Sequence, residues 1–352
     1  MNPISFNTFS QSTKNSNNIT TPPSSKIAEL KNDTVELSTK KTDEKPKKGL
    51  SKKQLILIGA AAGLAIGACI AIVKARNLSK AKREITALYD GLYEEMKKNT
   101  PEQLNFEKPE LIFKRFKGTL DGGYDPSTNQ INIDPRDLRR TCLLKDLKTA
   151  TTTNIAENLD IADTHCRDSV WNIIRKGVSD KFRIATKNEA LAVTGSTLTH
   201  ELQHAKQFQI ILSTEGGLEK YIQSIKEQTP GIDDNTIKNI YPFIFNYKPK
   251  MLFNPDKVII QDDVAGKYKI KYGVKDLIEA FTKYTTPDES RLKYYTNLAE
   301  IGARAKEATY WQKLANGELP RQEGVSDEFI EHFRKINTHN AIKLAKVAVN
   351  NR

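Results

Sequence analysis

His200-Glu201-Leu202-Gln203-His204 sits inside a longer run, Asn188 to Ser213, in which Leu191, Leu198, Leu202, Ala205, Phe208 and Leu212 recur at helical spacing with no proline. That spacing predicts one helix over the run. Residues four apart stack on one helix face, so the imidazoles of His200 and His204 converge on a point outside the backbone. Glu201 is turned away by one position. It is near enough to reach a water at that point and badly placed to ligate there itself. Two histidines holding zinc, with the intervening glutamate as general base, is the chemistry this spacing permits. With five His in 352 residues, chance supplies such a match only about 0.005 times.

The formal charge of +12 invites a nucleic-acid reading, so its location decides. Residues 40–53 carry seven Lys and two acids, and residues 74–83 carry five Lys or Arg and no acid, so two short flanks hold +10 of the +12. The basic excess therefore belongs to an anchor, and no nucleic-acid partner is expected. Of three cysteines, Cys69 lies in an apolar run, and Cys142 and Cys166 form no C-x-x-C pair; a disulfide between them needs a geometry that sequence does not fix.

Between those flanks, Leu55 to Val73 is an unbroken run of nineteen apolar or small residues, about 28 Å long as a helix and close to a bilayer core. Residues 54–74 are expected to form one transmembrane helix, bracketed by Lys52, Lys53, Lys74 and Arg76. Gly59, Gly63 and Gly67 line one face of it, the small-residue stripe through which two such helices pair as a homodimer. The heavier basic flank lies on the amino side. It leans toward a single-pass topology with a cytoplasmic amino terminus and the larger domain outside. Residues 1–53 are rich in Asn, Ser, Thr, Pro and Lys without an apolar period, and are read as a disordered polar and basic tail.

From residue 84 to 352 the pattern is that of one α+β domain. Ile85, Leu88, Leu92 and Met96 predict an amphipathic helix ended by Asn99-Thr100-Pro101. Glu110–Gly118 and Asn129–Asp134 read as strands joined by a turn region at Gly122–Pro126, and the alternation of Asn-Gln-Ile-Asn-Ile-Asp suggests a half-exposed edge strand able to align an extended peptide. Leu138, Cys142, Leu143 and Leu147 suggest a short helix, followed by a Thr-rich loop and the helix of the two histidines. Then come helical segments over Tyr221–Tyr247 broken at Pro230-Gly231, a β-hairpin over Lys257–Gly273, a long helix from Glu289 to Asn316, and a last helical region from Asp327 to Val349.

Catalytic zinc takes three protein ligands and keeps one position open for water. The best third candidate is Glu300, because Gly302, Ala303 and Ala305 are small enough to let its helix approach the first closely. His332, His339 and a Cys166 thiolate are the other candidates. For the oxyanion donor, Tyr294, Tyr295, Tyr310 and His332 all stay open.

His200-Glu201-x-x-His204 followed by a helical Glu300 resembles the zincin metallopeptidases, specifically the gluzincin type, whose third ligand is a glutamate on a later helix. The likeness covers these two helices and, loosely, the preceding strand. It implies a zincin-like fold with a small antiparallel sheet. It also implies Zn2+ held by His200, His204 and Glu300, and hydrolysis of a peptide or protein substrate by a zinc-activated water with Glu201 as general base. Gln207-Phe208 and Leu212 stand where the metzincin extension would be, and Arg304 stands where thermolysin-like chains carry an aspartate that orients a histidine, so the subfamily is unassigned. The alternatives are a membrane-tethered binding module with a structural metal or none, and a zinc hydrolase of a non-peptide bond.

Overall fold

Thr186 starts the central helix. Its side chain accepts from the Glu189 N–H while the Glu189 carboxylate accepts from the Thr186 N–H, so two first-turn donors are satisfied reciprocally. The helix then runs over Lys187–Leu212 and is buried nearly all round, which explains why its apolar residues do not keep to a single stripe. The computed structural model describes residues 76–114, 122–135, 143–145, 165–166, 182–184, 186–284 and 290–350. Among them, no helix is long and apolar enough to cross a membrane. The expected tail 1–53 and the apolar span 54–74 lie outside the described residues.

The elements are mostly helical with small sheets. In chain order they are α1 (residues 76–98), β1 (Glu110–Phe113), β2 (Gly122–Asp125), β3 (Gln130–Ile133), β4 (Leu143–Lys145), β5 (His165–Cys166) and β6 (Phe182–Ile184). They continue with α2 (Lys187–Leu212), α3 (Gly217–Gln228), α4 (Asp234–Ile240), α5 (Pro242–Asn246), β7 (Ile259–Val264) and β8 (Tyr268–Gly273). The last four are α6 (Val274–Thr282), α7 (Arg291–Tyr295), α8 (Leu298–Ala315) and α9 (Asp327–Asn350). The predicted helix of the histidines, the broken segments α3–α5, the β7–β8 hairpin and the terminal α9 stand where the periodicity puts them.

The first sheet departs from expectation. Its order is β1-β3-β2, with β1 parallel and β2 antiparallel to β3, so it is mixed rather than antiparallel. Asn129–Asp134 is therefore the central strand and no edge. Its alternation misleads because Asn132 and Asp134 are buried along with Ile131 and Ile133. The edge is β2, formed by residues whose glycines read as a turn. A Cβ at Gly122 would lie 2.7 Å from Ile133 Cδ1, 3.1 Å from Asn132 O and 3.1 Å from Thr197 Cγ2, so the glycine eases the close approach of this strand to β3 and α2.

Two further expectations change. Residues 143–145 form β4, paired with β5 and β6, rather than part of a helix. The single helix expected from Glu289 to Asn316 is two, because Asn297 caps a new start: its Oδ1 accepts from the Ala299 N–H and its Nδ2 donates to Ala280 O.

Two apolar clusters meet along α2. Leu198 and Leu202 pack with Ile85, Ile131, Trp311, Phe329 and Phe333, while Phe208 and Ile211 pack with Tyr221, Leu277, Phe281, Ile301 and Leu344. The polar residues of α2 are tied outward to different neighbours. Gln209 exchanges hydrogen bonds with the Glu107 backbone, Gln203 donates to Asp262, and Gln207 donates to Tyr272 and Ala299 O. The small residues Gly302, Ala303 and Ala305 of α8 are buried against this helix system, as their size predicts. A Cβ on Gly302 would lie 2.3 Å from Gln207 Nε2 and 2.6 Å from Asp262 Oδ2. Gly302→Ala is accordingly expected to cost about 1–3 kcal/mol and to lower the denaturation midpoint without changing the dependence on denaturant. A wild-type midpoint in that variant would show that α8 and the hairpin yield freely.

Candidate metal centre

Glu300 reaches the two imidazoles because Asn297 restarts the chain as a helix three residues earlier. The carboxylate thus stands in the first turn of α8, where the helix N-terminus favours negative charge. Its Oε1 lies 3.1 Å from His204 Nε2, its Oε2 lies 3.4 Å from His200 Nε2, and the two Nε2 atoms are 3.0 Å apart. His200 and His204 are each 6% exposed and Glu300 is 0% exposed. Among the described residues these three form the one group of histidine, cysteine and acidic side chains placed to hold a metal ion.

The triangle fits a cation by its dimensions. Ligands about 2.0–2.1 Å from a tetrahedral zinc stand about 3.3 Å apart, close to the three edges measured here. It also fits by charge. Glu201, Glu300 and Glu307 surround the two imidazoles, and Arg304 pairs with Glu300 and Glu307, so with neutral imidazoles the carboxylates outnumber the guanidinium beside them. A proton between the two Nε2 atoms satisfies one edge of the triangle; a metal ion satisfies all three. Two imidazoles and one carboxylate are borderline donors that suit zinc or ferrous iron better than calcium or magnesium.

The surroundings supply a carboxylate that spacing alone did not identify. Glu307 Oε1 lies 3.4 Å from His200 Nδ1, on the far side of the ring from the metal point. It stands two helical turns after Glu300 on the same face of α8, beside the ring nitrogen of His200 that does not face Glu300. Arg304 does not take Glu300 away from the histidines. Its guanidinium is shared, 3.8 Å from Glu300 and 3.7 Å from Glu307, and it lies over the Tyr295 ring. The signal for Glu307 was available as a seven-residue step from Glu300. It carried no weight before the face of α8 was known.

Burial opposes a charge on His200, but the Glu307 and Glu300 carboxylates outweigh it and push its pKa up to about 10. Burial alone would raise Glu300, yet the imidazoles hold its carboxyl well below the usual range. Glu201 is 8% exposed. Burial raises its pKa, and the two histidines pull it back.

The other sequence candidates separate cleanly. Tyr310 is a core residue, its hydroxyl donating to Ala192 O at 3.0 Å. Tyr295 supports Arg304, and His332 packs edge-on against Phe333. His332 and His339 lie on α9 and do not join the metal group. Cys166 pairs in β5 opposite Leu143, with its side chain outside the description, as is Cys142. Tyr294 approaches Glu300. Tyr284, which the sequence did not single out, donates its hydroxyl to Glu300 Oε1, with its ring 6.5 Å from that of His204.

Comparison with protein families, with curated proteins and with solved structures gives no match to this chain.

Metal binding must displace the His200 proton. Apparent affinity is therefore expected to rise about tenfold per pH unit across the neutral range, with proton release measurable by calorimetry in buffers of different ionisation enthalpy. A pH-independent affinity from pH 6 to 9 would rule out His200 as a ligand. Glu307→Gln is expected to weaken zinc binding roughly 10–100-fold, and His200→Ala to abolish stoichiometric zinc, both read by competition with a chromophoric chelator.

Proposed function

We propose that the chain is a zinc-dependent peptidase of gluzincin type, anchored in a membrane by the apolar segment 54–74 and acting on peptide or protein substrates beside the bilayer. The observation that carries this reading is the convergence of His200, His204 and Glu300, with Glu201 held one residue aside. Zinc bound by those three side chains supplies Lewis acidity, bringing the pKa of water toward about 7 and polarising a carbonyl oxygen.

The protein groups divide the remaining work. Glu201 is the base that takes the proton from the attacking water and then passes it to the leaving amine. Burial raises its pKa and so makes it a stronger proton acceptor than an exposed carboxylate. The Tyr284 hydroxyl donates to Glu300 Oε1 and so helps to hold that carboxylate in place. Glu307 and Arg304 keep His200 and Glu300 in position. Among the described residues β2 pairs only with β3, so an extended substrate can add at its other edge by main-chain hydrogen bonds.

Glu201→Gln is expected to retain zinc and the native melting temperature while losing roughly 10²–10⁴-fold in cleavage of a peptide library. Equal cleavage by wild type and variant would eliminate the mechanism. A fold indifferent to chelator, with no bound zinc, would favour the tethered binding module instead.

A further inference from the structure

The helices that form the metal centre carry a second set of side chains on another face. Seven-residue steps keep Glu300 and Glu307 together on one face of α8, and the same step keeps Lys306 and Lys313 together on a different one. On α2, Thr199 and Lys206 likewise share a face turned away from His200 and His204. These lysines line a cavity of about 250 Å³ enclosed by α1, α2, α8 and the chain at Leu319. Its walls are part apolar, from Leu92, Met96 and Leu319.

The charge in this cavity is unbalanced. Lys313 pairs with Glu95 of α1. Lys206 and Lys306 have no ion-pair partner among the described residues. Asp262 of the hairpin acts on Lys206 electrostatically, but it accepts hydrogen bonds from Tyr272 and Gln203 and forms no ion pair with either lysine. The Thr199 and Thr309 hydroxyls donate to carbonyl oxygens, so they offer lone pairs and do not compete as anions. Two lysines therefore stand at a partly apolar recess without an ion-pair partner among the described residues. An anion entering the recess would relieve the repulsion between their ammonium groups.

We propose that this cavity is a second ligand site, separate from the metal centre, for a small organic anion: one carboxylate or phosphate group held by Lys206 and Lys306, with a compact apolar body against Leu92, Met96 and Leu319. The volume lies below the roughly 300–1,000 Å³ of sites for drug-sized ligands, which favours a ligand of ring or short-chain size. Because α2 and α8 also carry the metal ligands, occupancy here bears directly on the spacing of the two helices.

The test is calorimetric titration of the full chain with benzoate and with phenyl phosphate, with benzyl alcohol as the uncharged control. Saturable binding of at least one anion, no binding of the alcohol, and a loss of roughly tenfold or more in Lys306→Met and in Lys206→Met would establish the site. The stronger of the two anions identifies the head group. Zinc stoichiometry and melting temperature, unchanged in Lys306→Met, keep the result separate from the fate of the metal centre. Absence of saturable binding by the wild type, or wild-type affinity in the double variant, would overturn the proposal.

Discussion

Everything at the candidate centre depends on how closely α8 approaches α2. A glutamate reaches only a few ångströms from its helix axis, so a carboxylate on one helix meets two imidazoles on another only if the backbones nearly touch. Gly302 permits that approach, two residues from Glu300 and against Gln207 of α2. Polar bonds fix the distance as well as apolar packing. Asp262 accepts from Tyr272 and Gln203, and Gln207 bridges Tyr272 and Ala299 O, so the hairpin β7–β8 locks both helices from one side. Buried groups paired in this way resist sliding, because each displaced bond leaves an unsatisfied polar atom in the core.

Charge sets the second constraint. Concentrating Glu201, Glu300 and Glu307 in one buried region is unfavourable in low dielectric, and Arg304 offsets only part of it. The Glu300 and Glu307 carboxylates explain why His200 holds its proton against burial, and the same negative potential would favour a divalent cation. A proton and a metal ion would compete for one set of lone pairs. Glu307 stands beside the opposite ring nitrogen of His200, where it pairs with the imidazolium.

The two faces of the α2–α8 pair are electrostatically opposite. Carboxylates and imidazoles collect on one, lysines on the other, and the helical repeat keeps them apart. The two imidazoles with Glu300 and the lysines of the cavity thus lie only a few residues apart in sequence.

The five-residue motif was legible because helical spacing is local: residues four apart meet whatever the helix packs against. The same holds for α2, α3–α5, the hairpin and α9, whose periodicity or turn chemistry needs no distant partner. The sequence also singled out Glu300 through the small residues beside it, which is a packing signal written locally. It did not single out Glu307 or Tyr284, since their roles depend on which face of α8 and which loop end meet α2. Nor did it reveal the order β1-β3-β2. Alternation in Asn129–Asp134 reports two kinds of side chain, but only tertiary packing decides that both kinds are buried, and the glycines of β2 look like a turn until α2 is laid beneath them. Local spacing determines which residues can act together on one element. Long-range contact alone decides which elements come close enough for them to do so.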